Sequence, residues 1–206
     1  MFIVLALLLQ LSDSAAQFSN FTGGWRAELL WKQNLTDQVN SSPVVADSGV
    51  YLGSDSKKVF SVNRITGDVQ WTFGTMGNVK ATGVIGDEML YIGSYDTNMY
   101  ALNVSNGDLM WNYTTVSAVR VAPVWDSDDD RLYFGTKDGV VHCVNSLTGA
   151  EVWTRDTGED VGRPLALANS RVFAGSNDHS LYCLKAKNGK KSWKFDTGGD
   201  MMTGAV

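Results

Sequence analysis

Four tryptophans, Trp71, Trp111, Trp153 and Trp193, stand 40, 42 and 40 residues apart. Each closes the same eleven-residue phrase: a small residue, a polar residue two on, a glycine four later, a tryptophan four after that. The copies run Ser61-x-Asn63-x3-Gly67-x3-Trp71, Ala101-x-Asn103-x3-Gly107-x3-Trp111, Cys143-x-Asn145-x3-Gly149-x3-Trp153 and Cys183-x-Lys185-x3-Gly189-x3-Trp193. A fixed period of this length marks a repeat architecture, in which each unit buries its apolar face against the next.

Within each period the apolar runs are short. A first strand is expected around Pro43–Ala46, Ala81–Ile85, Val121–Val124 and Pro164–Ala168. A second ends in glycine and a hydroxyl (Gly53-Ser, Gly93-Ser, Gly135-Thr, Gly175-Ser). A third holds Phe60, Tyr100, His142 or Tyr182. A Thr-Gly or Asn-Gly turn then leads to the tryptophan strand, because glycine takes the positive φ such turns need. Strand glycine to tryptophan is 18 residues in every unit; only the first loop varies, with two extra residues near Asp126–Asp130 in the third. With 21 glycines and 3 prolines, the chain reads as all-β. Four antiparallel strands per period form one blade of a β-propeller. The blades fall at residues 41–74, 79–114, 119–156 and 161–196 of a repeat region spanning 27–206. Trp31, 40 residues before Trp71, ends a repeat whose earlier strands are not upstream. Residues 200–206, with Met201 to Val206, align with the first strand of a fifth unit.

The eleven-residue phrase resembles the tryptophan-docking motif of the pyrroloquinoline-quinone (PQQ)-like propellers, a family that includes BamB-like scaffold proteins, quinoprotein dehydrogenases and luminal sensor domains. The resemblance covers residues 27–206. It implies an eight-bladed ring, of which about half is present here, so the sequence is expected to be a piece of a longer chain. A self-associating half-ring is the alternative. The family favours alanine and aspartate at the first and third motif positions; here small and turn-capping residues replace them.

Phe2–Leu11 is an apolar run too short to span a bilayer. With Ser14 and Ala16 ahead of Gln17, residues 1–16 read as a secretory signal peptide, although no Lys or Arg precedes the run. A buried N-terminal strand or an uncleaved anchor is the other reading. Residues 17–26 form a polar lead-in. Five sequons, at Asn20, Asn34, Asn40, Asn103 and Asn112, are candidate N-glycosylation sites. The expected location is secreted or luminal, or periplasmic-type in a bacterium.

Unique chemistry is sparse. Net charge is −5, and the chain reads as lacking the clustered basic footprint that nucleic acid requires. Cys143 and Cys183 share a motif position on adjacent blades and are expected to be free, buried thiols. His142 reads as a packed strand residue and His179 as a solvated turn residue; no zinc or Ser-His-Asp pattern surrounds them. Asp96, Asp138 and Asp178 recur, with Ser56 in the first copy, as turn residues. The Asp126–Asp130 loop reads as solvated, with calcium as the lesser alternative. Arg120, Arg163 and Trp125 break the repeat and could line one mouth of a central channel.

The expectation is therefore a non-catalytic scaffold propeller that binds a protein, peptide or glycan, with no cofactor and no membrane span in this segment. The alternative that the resemblance implies is a PQQ- and calcium-dependent dehydrogenase of alcohols or sugars; the third is a receptor's luminal sensor domain.

Overall fold

The computed structural model describes residues 2–8, 28–35, 38–46 and 49–199. Two strands come first, β1 (Phe2–Leu8) and β2 (Glu28–Leu35), paired antiparallel. Four four-stranded antiparallel sheets follow, each ordered as its chain runs. The first is β3 (Val44–Val45), β4 (Val50–Gly53), β5 (Lys58–Val62) and β6 (Val69–Gly74); the second is β7 (Val84–Gly86), β8 (Met89–Gly93), β9 (Asn98–Asn103) and β10 (Leu109–Thr114). The third is β11 (Val124–Asp126), β12 (Arg131–Gly135), β13 (Val140–Asn145) and β14 (Glu151–Asp156). The fourth is β15 (Ala166–Ala168), β16 (Arg171–Ser176), β17 (Ser180–Lys185) and β18 (Lys191–Asp196). These are the blades of an open, partial propeller.

The first strand is innermost, since β11 touches both β7 and β15. Apolar packing is divided into layers between blades. Tyr51, Val59 and Val79 meet Leu90, Ile92 and Leu102 between blades one and two. Tyr91, Met99 and Trp111 meet Leu132, Phe134 and Val144 between two and three. Tyr133, Val141 and Trp153 meet Val172, Tyr182 and Leu184 between three and four. Burial of such faces is the main force holding a blade array together, because a blade alone cannot cover its own faces.

The inner strands begin up to three residues later than expected, at Val84 rather than Ala81 and at Val124 rather than Val121. The preceding residues cross back onto the earlier blade. Val79, Val119 and Val161 donate their N–H to the carbonyls of Ser54, Ser94 and Thr136 at 2.9, 3.1 and 3.2 Å. Their side chains occupy the space where a Cβ on Gly53, Gly93 or Gly135 would sit, at 2.3, 2.5 and 2.4 Å. The strand glycine is therefore a close-approach position.

The small motif residue also has a steric cause. Ser61, Ala101, Cys143 and Cys183 pair directly across from Trp71, Trp111, Trp153 and Trp193, and each pairing adjoins a register shift. A bulky side chain there would collide with the indole.

β1 lies within the stretch read as a signal peptide, and there it forms a strand paired with β2. The cleavage site, the lead-in at 17–26, Asn20 and the partial fifth unit at 200–206 lie outside the described residues.

Candidate functional site

The tryptophan motif makes one end of each blade. Trp31, Trp71, Trp111 and Trp153 donate their indole N–H to the carbonyls of Arg64, Val104, Ser146 and Ala186 of the following unit, at 2.8–3.0 Å. Each ring lies flat on the next motif glycine. Gly67, Gly107, Gly149 and Gly189 have φ between +65° and +81°, and a Cβ there would fall 2.4–2.8 Å from the indole. Two requirements thus meet at each glycine: positive φ and no side chain. Asn63 and Asn145 accept two local N–H bonds each and Asn103 accepts one, which closes the turn as expected. Trp193 is 45% exposed, against 8% for Trp111 and Trp153. Among the described residues no following turn receives it.

The opposite end carries the second hairpin turns and the crossings between blades. A recurrent threonine organises it. Thr75, Thr115, Thr157 and Thr197 each accept no place in the motif as read above, yet each follows its tryptophan by four residues. Their N–H groups bond to the carbonyls of Lys57, Thr97, Gly139 and His179 at 2.8–2.9 Å. Their hydroxyls reach the crossing backbone at Gly77, Ser117, Glu159 and Gly199. The fixed spacing was the signal for them.

Asp96 does more than cap its own turn. Its carboxylate accepts from Met76 N–H at 2.7 Å, Gly77 N–H at 3.2 Å and the Tyr100 hydroxyl at 2.9 Å, tying blade one to blade two. Burial alone would raise its proton affinity; the hydrogen bonds from Asn98, Met76 and Tyr100 outweigh it and hold the carboxyl below its usual range. Asp178 accepts from Tyr182 and Lys194 at 2.6 and 2.7 Å. Lys80 pairs with Asp55 at 3.4 Å, and Arg120 pairs with Asp160 of the next crossing. Met76 and Val116, at this end of the blades, are 80% and 90% exposed, the most exposed large apolar side chains described. They occupy equivalent positions, one residue after Thr75 and Thr115, and Tyr95 is exposed next to Gly77, in the loop that bears Met76.

The expected channel-mouth trio is only partly brought together. Arg120 and Arg163 meet at Gly162: the Arg120 guanidinium lies 3.0 Å from where its Cβ would be, and Arg163 donates to its carbonyl at 3.1 Å. Trp125 sits elsewhere, on the inner strand, its ring laid over Gly86 of the neighbouring blade. Its indole N–H is buried with no partner among the described residues.

His142 stacks on Phe134 with centroids 5.1 Å apart and meets Tyr113 edge-on. Burial lowers its pKa to about 4, against small opposing contributions from Asp138 and Glu151. Cys143 and Cys183 are buried and unbridged, and burial pushes the Cys143 thiol up to about 11. Such a thiol is a poor nucleophile. Among the sequons, Asn34 and Asn112 are exposed on outer strands, while Asn40 donates its amide to Asp55 at 2.6 Å. Among the described residues no group of three or more His, Cys, Asp or Glu could hold a metal. In the Asp126–Asp130 loop, Asp126 accepts the Asp128 N–H at 3.2 Å.

One reading of the charge pattern is corrected. Lys185, Lys187, Lys190, Lys191 and Lys194 form a basic stretch that the acidic overall balance concealed. The first four are exposed at and just after the motif turn of blade four.

The family model described as outer membrane protein assembly factor BamB matches residues 24–124 and 120–206. No curated protein matches the chain. Among solved structures it resembles BamB from Moraxella catarrhalis, with a TM-score of 0.72 and 22% identity over 81% of this chain and 52% of that one. It also resembles a quinohemoprotein alcohol dehydrogenase from Pseudomonas putida (TM-score 0.76, 14% identity, 84% of this chain, 38% of that one). A europium-containing methanol dehydrogenase is similar again (TM-score 0.77, 10% identity, 84% and 46%). The chain spans about half or less of each of these structures. At such identities the likeness is one of fold. Among the described residues no helix is long and apolar enough to cross a membrane.

Proposed function

The chain belongs to the family described as outer membrane protein assembly factor BamB, a PQQ-like repeat propeller, and from that premise we propose that it is a non-catalytic protein-binding module working outside the cytoplasm. The observation that carries this reading is the pair Met76 and Val116. Two exposed apolar side chains at equivalent repeat positions cost solubility and contribute little to the fold. Apolar side chains held exposed at one end of a rigid blade array suit contact with a protein surface. The rigid base is the Asp96 network, which fixes the loop bearing Met76.

The dehydrogenase alternative rests on likeness of fold alone, and fold does not supply function. Calcium takes about six to eight oxygen ligands. The described inner strands are mostly apolar, with Val84, Ile85, Val124, Ala166 and Leu167 on them and Asp126 their one carboxylate. These residues do not fit a quinone–calcium site.

The test uses the Met76→Asp/Val116→Asp double variant. Wild type and variant are compared for stoichiometric co-purification of a partner from the native extracytoplasmic fraction, with thermal unfolding as the control. The expected result is a partner retained by wild type and lost by an equally stable variant. Dye-linked oxidation of alcohols or sugars on addition of PQQ and calcium would overturn the reading.

A further inference from the structure

The four repeats serve as controls for one another, and they isolate one surface that the fold does not require. At the motif turn of blade four, Lys185 stands where the other blades have Asn63, Asn103 and Asn145. Lys187 replaces Ile65, Ser105 and Leu147. Lys190 replaces Asp68, Asp108 and Ala150, and Lys191 replaces Val69, Leu109 and Glu151. Four neutral or acidic positions have all become cationic in one blade of a chain whose net charge is −5. A residue needed for blade packing would recur; these do not.

Two arginines of blade three reinforce the same spot. Arg131 donates to the carbonyls of Ala186 and Lys187 at 3.2 and 2.9 Å, and Arg155 donates to the carbonyl of Gly189 at 2.8 Å. The positions equivalent to Arg155 are Phe73 and Tyr113, and those equivalent to Arg131 are Met89 in blade two and Arg171 in blade four. The lysine turn is thus pinned by its main chain from beneath, and further positive charge is placed under it. None of Lys185, Lys187, Lys190 and Lys191 takes part in the ion pairs found among the described residues.

The charge around the patch decides what can bind it. The first hairpin turns share this end of the blades with the motif turns, because Val104, Ser146 and Ala186 donate N–H to Glu88, Asp130 and Ser170. Blades one to three therefore present Asp68, Asp87, Glu88, Asp108 and the Asp128–Asp130 loop here, all exposed. A bilayer or a nucleic-acid duplex laid across this end would meet those carboxylates as well as the lysines. Like charges brought together oppose association. A narrow acidic chain confined to blade four would meet the lysines alone.

We propose that the blade-four motif turn, with Lys185, Lys187, Lys190 and Lys191 held over Arg131 and Arg155, is a docking site for an acidic peptide segment of a protein partner. The inference rests on the binding-module reading for the class of partner and adds its chemistry. The site is distinct from Met76 and Val116, which lie at the opposite end of the blades.

The test measures binding of a labelled poly-glutamate peptide to the full chain by fluorescence anisotropy. Affinity is expected to fall steeply from about 50 to about 300 mM salt, as the screening length shortens. Replacing the four lysines by Gln is expected to weaken binding by about tenfold or more, because the attraction is electrostatic. Replacing them by Arg is expected to preserve it, which separates charge from folding. The proposal is overturned by equal binding of the Gln variant, by no binding to wild type at low salt, or by preference for phosphatidylglycerol vesicles or duplex DNA over the peptide. Loss of peptide binding sinks this surface alone, whereas quinone-dependent turnover sinks the reading beneath it.

Discussion

His142 shows how a single repeat position can be retuned. Its equivalents are Phe60, Tyr100 and Tyr182. Tyr100 and Tyr182 donate to Asp96 and Asp178, while in blade three the corresponding carboxylate is Asp138. Burial takes the imidazole's pKa from 6.5 down to about 4. Between those values the unfolded chain binds more protons than the folded one. Stability is therefore full above about pH 6.5, falls as pH drops through the window, and levels off below about 4. The loss should approach roughly 3 kcal/mol at most. Urea unfolding at about pH 7.5 and about pH 4.5 would measure it. In His142→Tyr, this part of the acid sensitivity should vanish, with Asp138 positioned to accept the new hydroxyl.

Thr97 offers a second residue-scale test. It sits at φ 73°, where its equivalents are Lys57, Gly139 and His179. A β-branched side chain is strained in that region. Its carbonyl anchors both the N–H and the hydroxyl of Thr115, so the turn cannot relax freely. Thr97→Gly is expected to stabilise by on the order of 1 kcal/mol, seen as a raised Tm. The reverse change, Gly139→Thr, should destabilise, because a Cβ there would meet the Glu159 backbone at 2.7 Å. A lowered Tm for Thr97→Gly would show that the threonine makes a compensating contact.

At the scale of elements, the unit of stability is the contact between one tryptophan strand and the next motif turn. Trp111 is buried against Gly149, bonded to Ser146 and packed on Tyr91 with centroids 5.8 Å apart. Trp111→Ala should cost about 3–5 kcal/mol through lost burial and a cavity. Trp193 has its own Phe173 neighbour at 6.0 Å but no receiving turn among the described residues. Trp193→Ala should cost less than about 1 kcal/mol. Equal losses in chemical denaturation of the two variants would contradict the docking account. The same comparison explains why motif glycines recur without exception: each must yield its Cβ space to an indole arriving from another blade.

For the whole molecule, contacts run between neighbouring blades, so cooperativity should be graded along the array. β8, β12 and β13 are enclosed by blades on both sides, whereas every residue of β18 is exposed. Amide hydrogen exchange should be slowest in the former and fastest in β18. Uniform protection would mean that the end of blade four is covered in solution.

The sequence by itself determined the four strands of each blade, their order and the turn role of the motif glycines. These depend on local rules, positive φ at Gly67 or Gly149 and alternation of apolar side chains, repeated often enough to be read against one another. Where the inner strands begin was decided only in three dimensions. Val79 and its equivalents look like strand residues, but their N–H groups and side chains are claimed by the previous blade. Tertiary structure likewise set Trp125 on Gly86, brought Arg131 and Arg155 beneath the lysine turn, and put Met76 beside Asp96. Each of these pairings joins residues about 20 to 60 apart in the chain, and no local pattern records a distance that only the stacking of sheets creates.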